Sequence, residues 1–439
     1  MTNTKQERYW RMRIFGLTWL AYAGFYFCRK NFSVAMPILT KDLGTTKEEF
    51  AIAITAYSLM YMLGQFLNGY MSDRKGPRLI VSIGMILSVL ANFLMGWAGT
   101  IASFAFLMGL NGLGQSAGWS GTVKNMTPWF YHKERGRVMS FWTTNYVIGG
   151  IAATAFATYW ATHQTLFVNL EWKRAFWAPA FVLIIILTIY SVFTRNNPSD
   201  AGLRIITDNT SDKEKEQLSA NAKKEAQKKV ISTPAVWAAA GIYFFVKFTR
   251  YAFLFWLPLY LSEALHYSNQ LAGYSSIAYE AVGFIGVIAA GFISDKLFSA
   301  RRFPISAIML LGLSVTLALQ PVLSHLGWTP TMIVIGLIGF FTYGPDSILS
   351  GATAMDIGEE NGAALAAGII NGVGSLGQLL SPLVVAFVSD KYGWDNLFKV
   401  FMVFALAASV ISLTQWQSDT KTQETNEEEI PENSLSYEK

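Results

Sequence analysis

Long apolar runs constrain this chain more than any other feature. Twelve of them, bounded by charge, proline or glycine, lie near 13–36, 50–72, 78–99, 102–126, 136–160, 175–194, 235–261, 270–294, 303–325, 329–355, 361–389 and 394–416. About 20 apolar residues in a helix cross the hydrocarbon core, and a helix satisfies its own backbone groups there. The predicted fold is therefore all-α, with twelve transmembrane helices. Composition agrees: 14% of the 439 residues are charged, against about 25% in soluble proteins. A soluble enzyme with one core, a disordered chain and a secreted disulfide scaffold are excluded. Cys28 is the single cysteine, so no internal disulfide can form. The first run, from Ile14, is too long for the apolar region of a cleavable signal. A net charge of +5 spread over many loops points to no nucleic-acid partner.

Lysine and arginine set the orientation, because cytoplasmic loops keep them. Lys5, Arg8, Arg11 and Arg13 precede the first run, and the even-numbered connections carry Arg74, Lys75, Arg78, Lys133, Arg135, Arg137, Lys296, Arg301 and Arg302. The opposite side holds Lys41, Lys47, Lys173, Arg174, Lys391 and Lys399. Both termini are predicted to be cytoplasmic. The division expected is a six-helix bundle at 1–195, a cytoplasmic linker at 196–233 rich in interleaved Lys and Glu, a second six-helix bundle at 234–416, and an acidic disordered tail at 417–439.

An internal repeat supports the count. Gly69-Tyr-Met-Ser-Asp73-Arg74 recurs as Gly291-Phe-Ile-Ser-Asp295-Lys296, displaced by 222 residues, and Arg250 follows Arg29 by 221. Two unrelated features with one offset indicate duplicated halves, which place a substrate site at their interface near mid-membrane. The repeated motif, nearly complete in the first copy (Gly69, Asp73, Arg74, Gly76, Arg78), resembles the cytoplasmic loop motif of the major facilitator superfamily. Glycine there is expected to allow close helix packing, and aspartate to cap or pair with a neighbouring helix end in one conformational state.

Charge inside the runs marks the site. Arg29 lies about 15 residues into the first run and Arg250 equally deep in the seventh, where a charge costs about 2.5–3.5 kcal/mol on insertion scales. Such residues face a polar cavity or a structural ion pair. Guanidinium stays charged and offers a planar fork that matches phosphate or carboxylate. Two of them across the interface make an anion site, and Lys247, one turn before Arg250, adds charge on the same face. Glu280 reads as an ion-pair partner for a neighbouring cation. Asp346, after the Gly344-Pro345 break, must find a cation or donors: it neutralises Lys247 or Arg250, or accepts hydroxyls from a sugar. Lys124 either pairs at a gate or snorkels. His132, His163, His266 and His325 all fall at loops or ends, so no buried histidine proton relay is predicted. No metal-ligand spacing, nucleotide-phosphate loop or nucleophile motif occurs, so neither an enzyme nor a cofactor is expected.

The stretch Tyr22-Ala-Gly-Phe-Tyr26-Phe-Cys-Arg29-Lys30-Asn31-Phe32-Ser-Val-Ala-Met36-Pro37 resembles the first helix of the organophosphate:phosphate antiporter family. That family includes glycerol-3-phosphate, hexose-phosphate and glucose-6-phosphate transporters. The likeness continues through Gly118-Trp119, Lys124, Trp129-Phe130, Glu134-Arg135-Gly136, Pro198 to Leu203, Tyr279-Glu280, Gly339-Phe340 and Tyr343-Gly344-Pro345, and covers residues 8–415. It implies that Arg29 and Arg250 grip phosphate while Tyr22, Tyr26 and Tyr343 donate hydroxyl hydrogen bonds. Four positions depart from the glycerol-3-phosphate type: Gln65 for a cavity lysine, Tyr146 for a cavity histidine, Lys247 for a tyrosine and Ser375 for an aromatic residue. Asp346 is an acid where the family pattern has none.

Together these features describe a monomeric secondary transporter in the cell (inner) membrane that exchanges an organic phosphate for inorganic phosphate by alternating access. Two other readings remain at this level. One is a sugar-phosphate sensor of the same fold; the other is a proton-coupled organic-anion carrier using Asp346 or Glu280.

Overall fold

The computed structural model describes residues 4–130, 138–139, 141–163, 167–203, 225, 228–299 and 301–417. The Glu134-Arg135-Gly136 segment, most of the lysine-rich linker and nearly all of the acidic tail lie outside the described residues, as does the side chain of Asp73.

The first bundle contains α1 (Thr4–Phe25), α2 (Phe27–Leu43), α3 (Lys47–Lys75), α4 (Pro77–Met95), α5 (Ile101–Met126), α6 (Thr144–Thr162) and α7 (Arg174–Phe193). The second contains α8 (Pro234–Glu263), α9 (Asn269–Ser275), α10 (Ile277–Leu297), α11 (Arg302–Ser324), α12 (Trp328–Ser347), α13 (Thr353–Lys391) and α14 (Trp394–Thr414). Two spans are each built from two helices, α1 with α2 and α9 with α10. A π-helical turn at Ile348–Ala352 joins α12 to α13. Helix then runs unbroken to Lys391, so the predicted break near residues 356–360 is helical instead of a loop.

Local chemistry explains the boundaries. Thr46 caps α3 in a reciprocal pair with Glu49, and Thr100 does the same for α5 with Ser103. Gly76 turns the chain from α3 into α4 at φ 85°, a left-handed conformation, and a Cβ there would lie 2.7 Å from the Asn196 amide. Asn196 Oδ1 accepts from the Arg78 backbone N–H, and the Arg78 guanidinium donates to the Ser191 carbonyl. The first loop motif is thereby fastened to the end of α7.

Among the described residues, nine helices are long and apolar enough to cross a membrane. The remaining three spans (α1 with α2, α5 and α6) are helical too but more polar, and they supply Arg29, Asn111, Gln115 and Asn145, all buried. The spans that miss a simple hydropathy criterion are thus ones that bring polar groups to the interior.

The duplication is visible in packing. A Cβ at Gly112 in α5 would lie 2.3 Å from the Tyr57 carbonyl of α3, and one at Gly339 in α12 would lie 2.0 Å from the Tyr279 carbonyl of α10. Tyr279 follows Tyr57 by 222 residues, the displacement of the loop motif. Proline interrupts α2 at Pro37 and α8 at Pro258, 221 residues apart. By contrast, a Cβ at Gly69 or Gly291 would meet nothing within 4 Å. The close packing expected of these motif glycines is absent, because they lie on the open faces of α3 and α10, whereas Asn68 and Ser294 on the packed faces bond to α5 and to the start of α11.

These contacts predict opposite outcomes for two glycines. Gly339→Ala forces the α10–α12 crossing apart and lowers stability by about 1–3 kcal/mol, as overpacking does. Gly291→Ala, in open space, leaves it unchanged. Thermal melts of the purified proteins in detergent check both.

Candidate transport site

The α1–α2 junction builds the first half of the site. At Tyr26 the helix tightens, and the Arg29 N–H bonds to the Tyr26 carbonyl at 3.0 Å. Gln115 of α5 donates from Nε2 to the Phe25 carbonyl at 2.8 Å, and its Oε1 accepts from Arg29 Nε at 3.1 Å. One amide thus satisfies the helix break and aims the guanidinium. Asn111, one turn before Gln115, donates to the Cys28 carbonyl at 2.7 Å. The guanidinium lies over the rings of Tyr26 (4.6 Å) and Tyr61 (5.3 Å). Arg29 is buried, and its Nη2 has no partner among the described residues. An unmatched buried donor on a permanently charged group calls for an anion.

The second half rests on α8. Arg250 Nη1 donates to Asp346 Oδ2 of α12 at 2.7 Å, so this acid is an ion-pair partner of Arg250. The same guanidinium lies 4.7 Å from the centre of the Tyr343 ring and 5.6 Å from that of Tyr146. Tyr146 and Tyr343 face each other across the bundles in near-parallel planes, 6.4 Å between centres. Lys247 donates to Ser375 Oγ at 3.4 Å and lies over Tyr243. Two departures from the family pattern therefore occur as a pair: the small serine makes room for the lysine and gives it an acceptor. Tyr26 and Tyr251 each lie within electrostatic range of both Arg29 and Arg250. Each guanidinium is thus covered by its own pair of tyrosines, Tyr26 and Tyr61 on Arg29 and Tyr146 and Tyr343 on Arg250. Tyr22 packs its ring on Tyr26, Trp119 and Trp142.

Contacts between bundles cluster away from the chain termini. Lys30 Nζ pairs with Glu280 Oε1 at 2.9 Å, nearly fully buried, and also donates to the Leu254 carbonyl. A Cβ at Gly150 would sit 2.6 Å from Glu280 Oε2, so glycine lets the carboxylate approach α6. Ser33 donates to the Phe255 carbonyl at 2.6 Å, and Tyr57 meets the Phe255 ring edge-on. At the far end, Lys47 pairs with Glu263 at 2.6 Å and lies over Trp394. On the side of the termini, Arg302 holds Asp295 at 2.6 Å and Asp356 at 2.8 Å within the second bundle. Arg74 lies exposed over Tyr70, and Lys124 is exposed near the end of α5.

Sequence reasoning found the charges and missed their partners. Gln115, Tyr57, Tyr61, Tyr243 and Tyr251 were not singled out. A retrievable signal existed for three of them: Tyr243 recurs with Lys247 and Arg250 at helical spacing on one face of α8, and Tyr57 and Tyr61 do so on α3. Lys30 stands in the first-helix stretch with no partner predicted from the sequence.

The buried Lys30–Glu280 pair generates a prediction. Removing one partner strands a buried charge, which costs about 3–5 kcal/mol, whereas an apolar pair of similar volume is often tolerated. Glu280→Met and Lys30→Met are each expected to destabilise strongly, and the double variant Lys30→Met/Glu280→Met to regain much of the loss. A double-mutant cycle on melting temperature measures the coupling.

The Major Facilitator Superfamily model matches residues 18–367. A Chlamydia trachomatis protein named "Probable hexose phosphate transport protein" is 30% identical over 95% of this chain and 93% of its own. The glycerol-3-phosphate transporter of Bacillus subtilis is 31% identical, covering 94% of each chain. In fold, the chain is similar to a bacterial homologue of the human lysosomal transporter Spinster in its inward-facing, unoccupied conformation. The TM-score there is 0.79 at 15% identity, covering 94% of this chain and 98% of that one. These relatives are transporters, and the helices described here make this chain a multi-pass membrane protein. The chain belongs to the major facilitator superfamily and, within it, to the organophosphate:phosphate antiporter family.

Proposed function

We propose that this protein exchanges an organic phosphate ester of the sugar-phosphate or glycerol-3-phosphate type for inorganic phosphate, with Arg29 and Arg250 as the phosphate ligands. The observation that carries this reading is the Arg29 guanidinium, buried and covered by Tyr26 and Tyr61 with one nitrogen unmatched among the described residues, while Arg250 of the second bundle is covered in the same way by Tyr146 and Tyr343. The similarity to a probable hexose phosphate transport protein and to a glycerol-3-phosphate transporter supports the same substrate class.

The mechanism follows from charge. Arg29, Lys247 and Arg250 repel one another when a low-dielectric cavity closes around them. A bound phosphate offsets that charge and bridges the bundles, so the loaded carrier reorients and the empty one does not. Lys47–Glu263, Ser33–Phe255 and Lys30–Glu280 fasten the bundles on the side away from the termini. On the terminal side the open faces of α3 and α10 at Gly69 and Gly291 would accept a Cβ without contact. With the lysine- and arginine-rich loops and both termini in the cytoplasm, this is a carrier of the inner membrane open to the cytoplasm. It works as a monomer, since both halves of the site lie on one chain.

Phosphate-loaded proteoliposomes supply the test. Arg29→Lys and Arg250→Lys each replace a planar fork by a point charge, and each is expected to slow exchange of radiolabelled phosphate by about 100-fold or more. Wild-type uptake into vesicles without internal phosphate should be far slower than into loaded ones; equal rates would contradict obligatory exchange. Uptake driven by a proton gradient and indifferent to phosphate would replace this reading with a proton-coupled carrier. Phosphate binding without exchange would make the protein a sensor.

A further inference from the structure

Asp346 is buried, with Oδ2 on Arg250 Nη1 at 2.7 Å and Oδ1 without any hydrogen-bond partner among the described residues. Around it lie Arg250 and Lys247 of α8, Tyr243 of the same helix, Tyr146 of α6 and Tyr279 of α10, all within its electrostatic range. Two features of this arrangement bear on selectivity. The carboxylate already occupies part of the guanidinium that the proposed function assigns to phosphate. Its second oxygen lacks a donor, and a buried acceptor left unmatched costs about 1–3 kcal/mol.

An anion that engages Arg250 therefore sits beside Asp346, because both bind one planar fork. Oxygen of a fully deprotonated ligand would face carboxylate oxygen, and at short range in low dielectric that contact is repulsive. An O–H on the ligand reverses its sign, since it donates to the carboxylate and satisfies it. The hydrogen phosphate dianion carries such a group. A phosphate ester has none on a dianionic phosphoryl group, but a neighbouring carbon hydroxyl can supply it. Sulfate, of the same shape and charge, has no O–H at all.

Resting on the phosphate-exchange reading, we propose that Asp346 is a specificity-determining residue: it accepts a hydrogen bond from a ligand O–H, so that hydrogen phosphate and hydroxylated phosphate esters are selected and anions without an O–H are rejected. This is selection through a polar group that the wrong ligand leaves unsatisfied.

The test is competition against radiolabelled phosphate exchange in proteoliposomes, with unlabelled phosphate, glycerol-3-phosphate, sulfate and methyl phosphate as competitors at about pH 8, where the second proton of a phosphate monoester (pKa about 6) is gone. Sulfate and methyl phosphate are expected to compete about 100-fold or more weakly than phosphate, with glycerol-3-phosphate comparable to phosphate. Asp346→Asn, whose amide can donate as well as accept, is expected to narrow the gap to less than about tenfold. Sulfate competing within about threefold of phosphate in the wild type overturns the proposal. So does an Asp346→Asn protein that exchanges phosphate with undiminished discrimination.

Where that variant does not fold, the wild type alone decides. Methyl phosphate regains an O–H as pH falls through about 6, so its competition relative to sulfate should strengthen by about tenfold or more between about pH 8 and about pH 5.5. A flat ratio overturns the proposal. Failure of the underlying reading looks different: the wild type then neither binds nor exchanges phosphate, and the assignment of Asp346 falls with it. If phosphate binds without exchange, the same competitor series is read by displacement of bound radiolabelled phosphate.

Discussion

A guanidinium set halfway along an apolar helix has to be met by something polar, and much of this structure follows from how Arg29 is met. Its helix breaks at Tyr26, which frees the Phe25 carbonyl, and Gln115 answers both needs with one side chain. That requires α5 to pass close to α1, which Gly118 allows, while Gly109 and Gly112 bring α5 against α3 and Gly114 brings it against α4. Gly112 and Gly118 would clash with Tyr57 and Phe25 if they carried a Cβ. Tyr26 and Tyr61 then cover the guanidinium without neutralising it. The arginine remains charged, fixed in direction and short of one partner. A cationic group that need not reorganise on meeting an anion is already half of a selective site.

The contacts between the bundles follow a different logic from those within them. Inside each bundle, small residues bring backbones together and serines bind backbone carbonyls, as Ser409 does to Ala307 and Ser412 to Phe303. Between bundles, ion pairs join the polar and aromatic contacts: Lys30 with Glu280 and Lys47 with Glu263, beside Ser33 on the Phe255 carbonyl. An ion pair is a reversible fastening in a way that an interlocked glycine crossing is not. It can separate where water enters and re-form where water leaves, whereas the crossings at Gly112 and Gly339 must persist through any rocking motion. The tight crossings at Gly112 and Gly339 thus lie within the halves, and the Lys30–Glu280 and Lys47–Glu263 pairs between them are contacts that can separate, as alternating access around a fixed site demands.

How much of this was legible in the sequence depended on energetic penalty. Charges in apolar runs are expensive, so Arg29, Lys247, Arg250, Glu280 and Asp346 stood out, and all five are buried or half-buried in the interior. The duplication was legible because two motifs shared one offset, and Tyr57, Tyr279, Pro37 and Pro258 extend it in three dimensions. Gln115 and the tyrosines around the arginines were illegible for the converse reason. A neutral amide or phenol in a membrane helix carries a small penalty, and tyrosine is common at the membrane interface for unrelated reasons. Pairings were beyond reach as well: nothing in the spacing tells that Lys30 meets Glu280, that Ser375 serves Lys247, or that Asp346 takes Arg250 instead of Lys247. The loop-motif glycines erred in the other direction, since a motif records every conformational state and one structure shows a single state.

Asp346 changes what the arginines can do. Arg29, Lys247 and Arg250 bring three positive charges to the site, the buried Lys30–Glu280 pair adds none, and Asp346 removes one. Two remain, the charge that a doubly deprotonated phosphoryl group offsets. A site with three would hold such a ligand more tightly in both conformations, and tight uniform binding slows release without helping reorientation. An internal carboxylate that competes for one guanidinium weakens the resting grip while keeping the fork in place. The same charge that moderates affinity also supplies the acceptor that distinguishes one tetrahedral dianion from another, so exchange rate and selectivity are tied to one side chain.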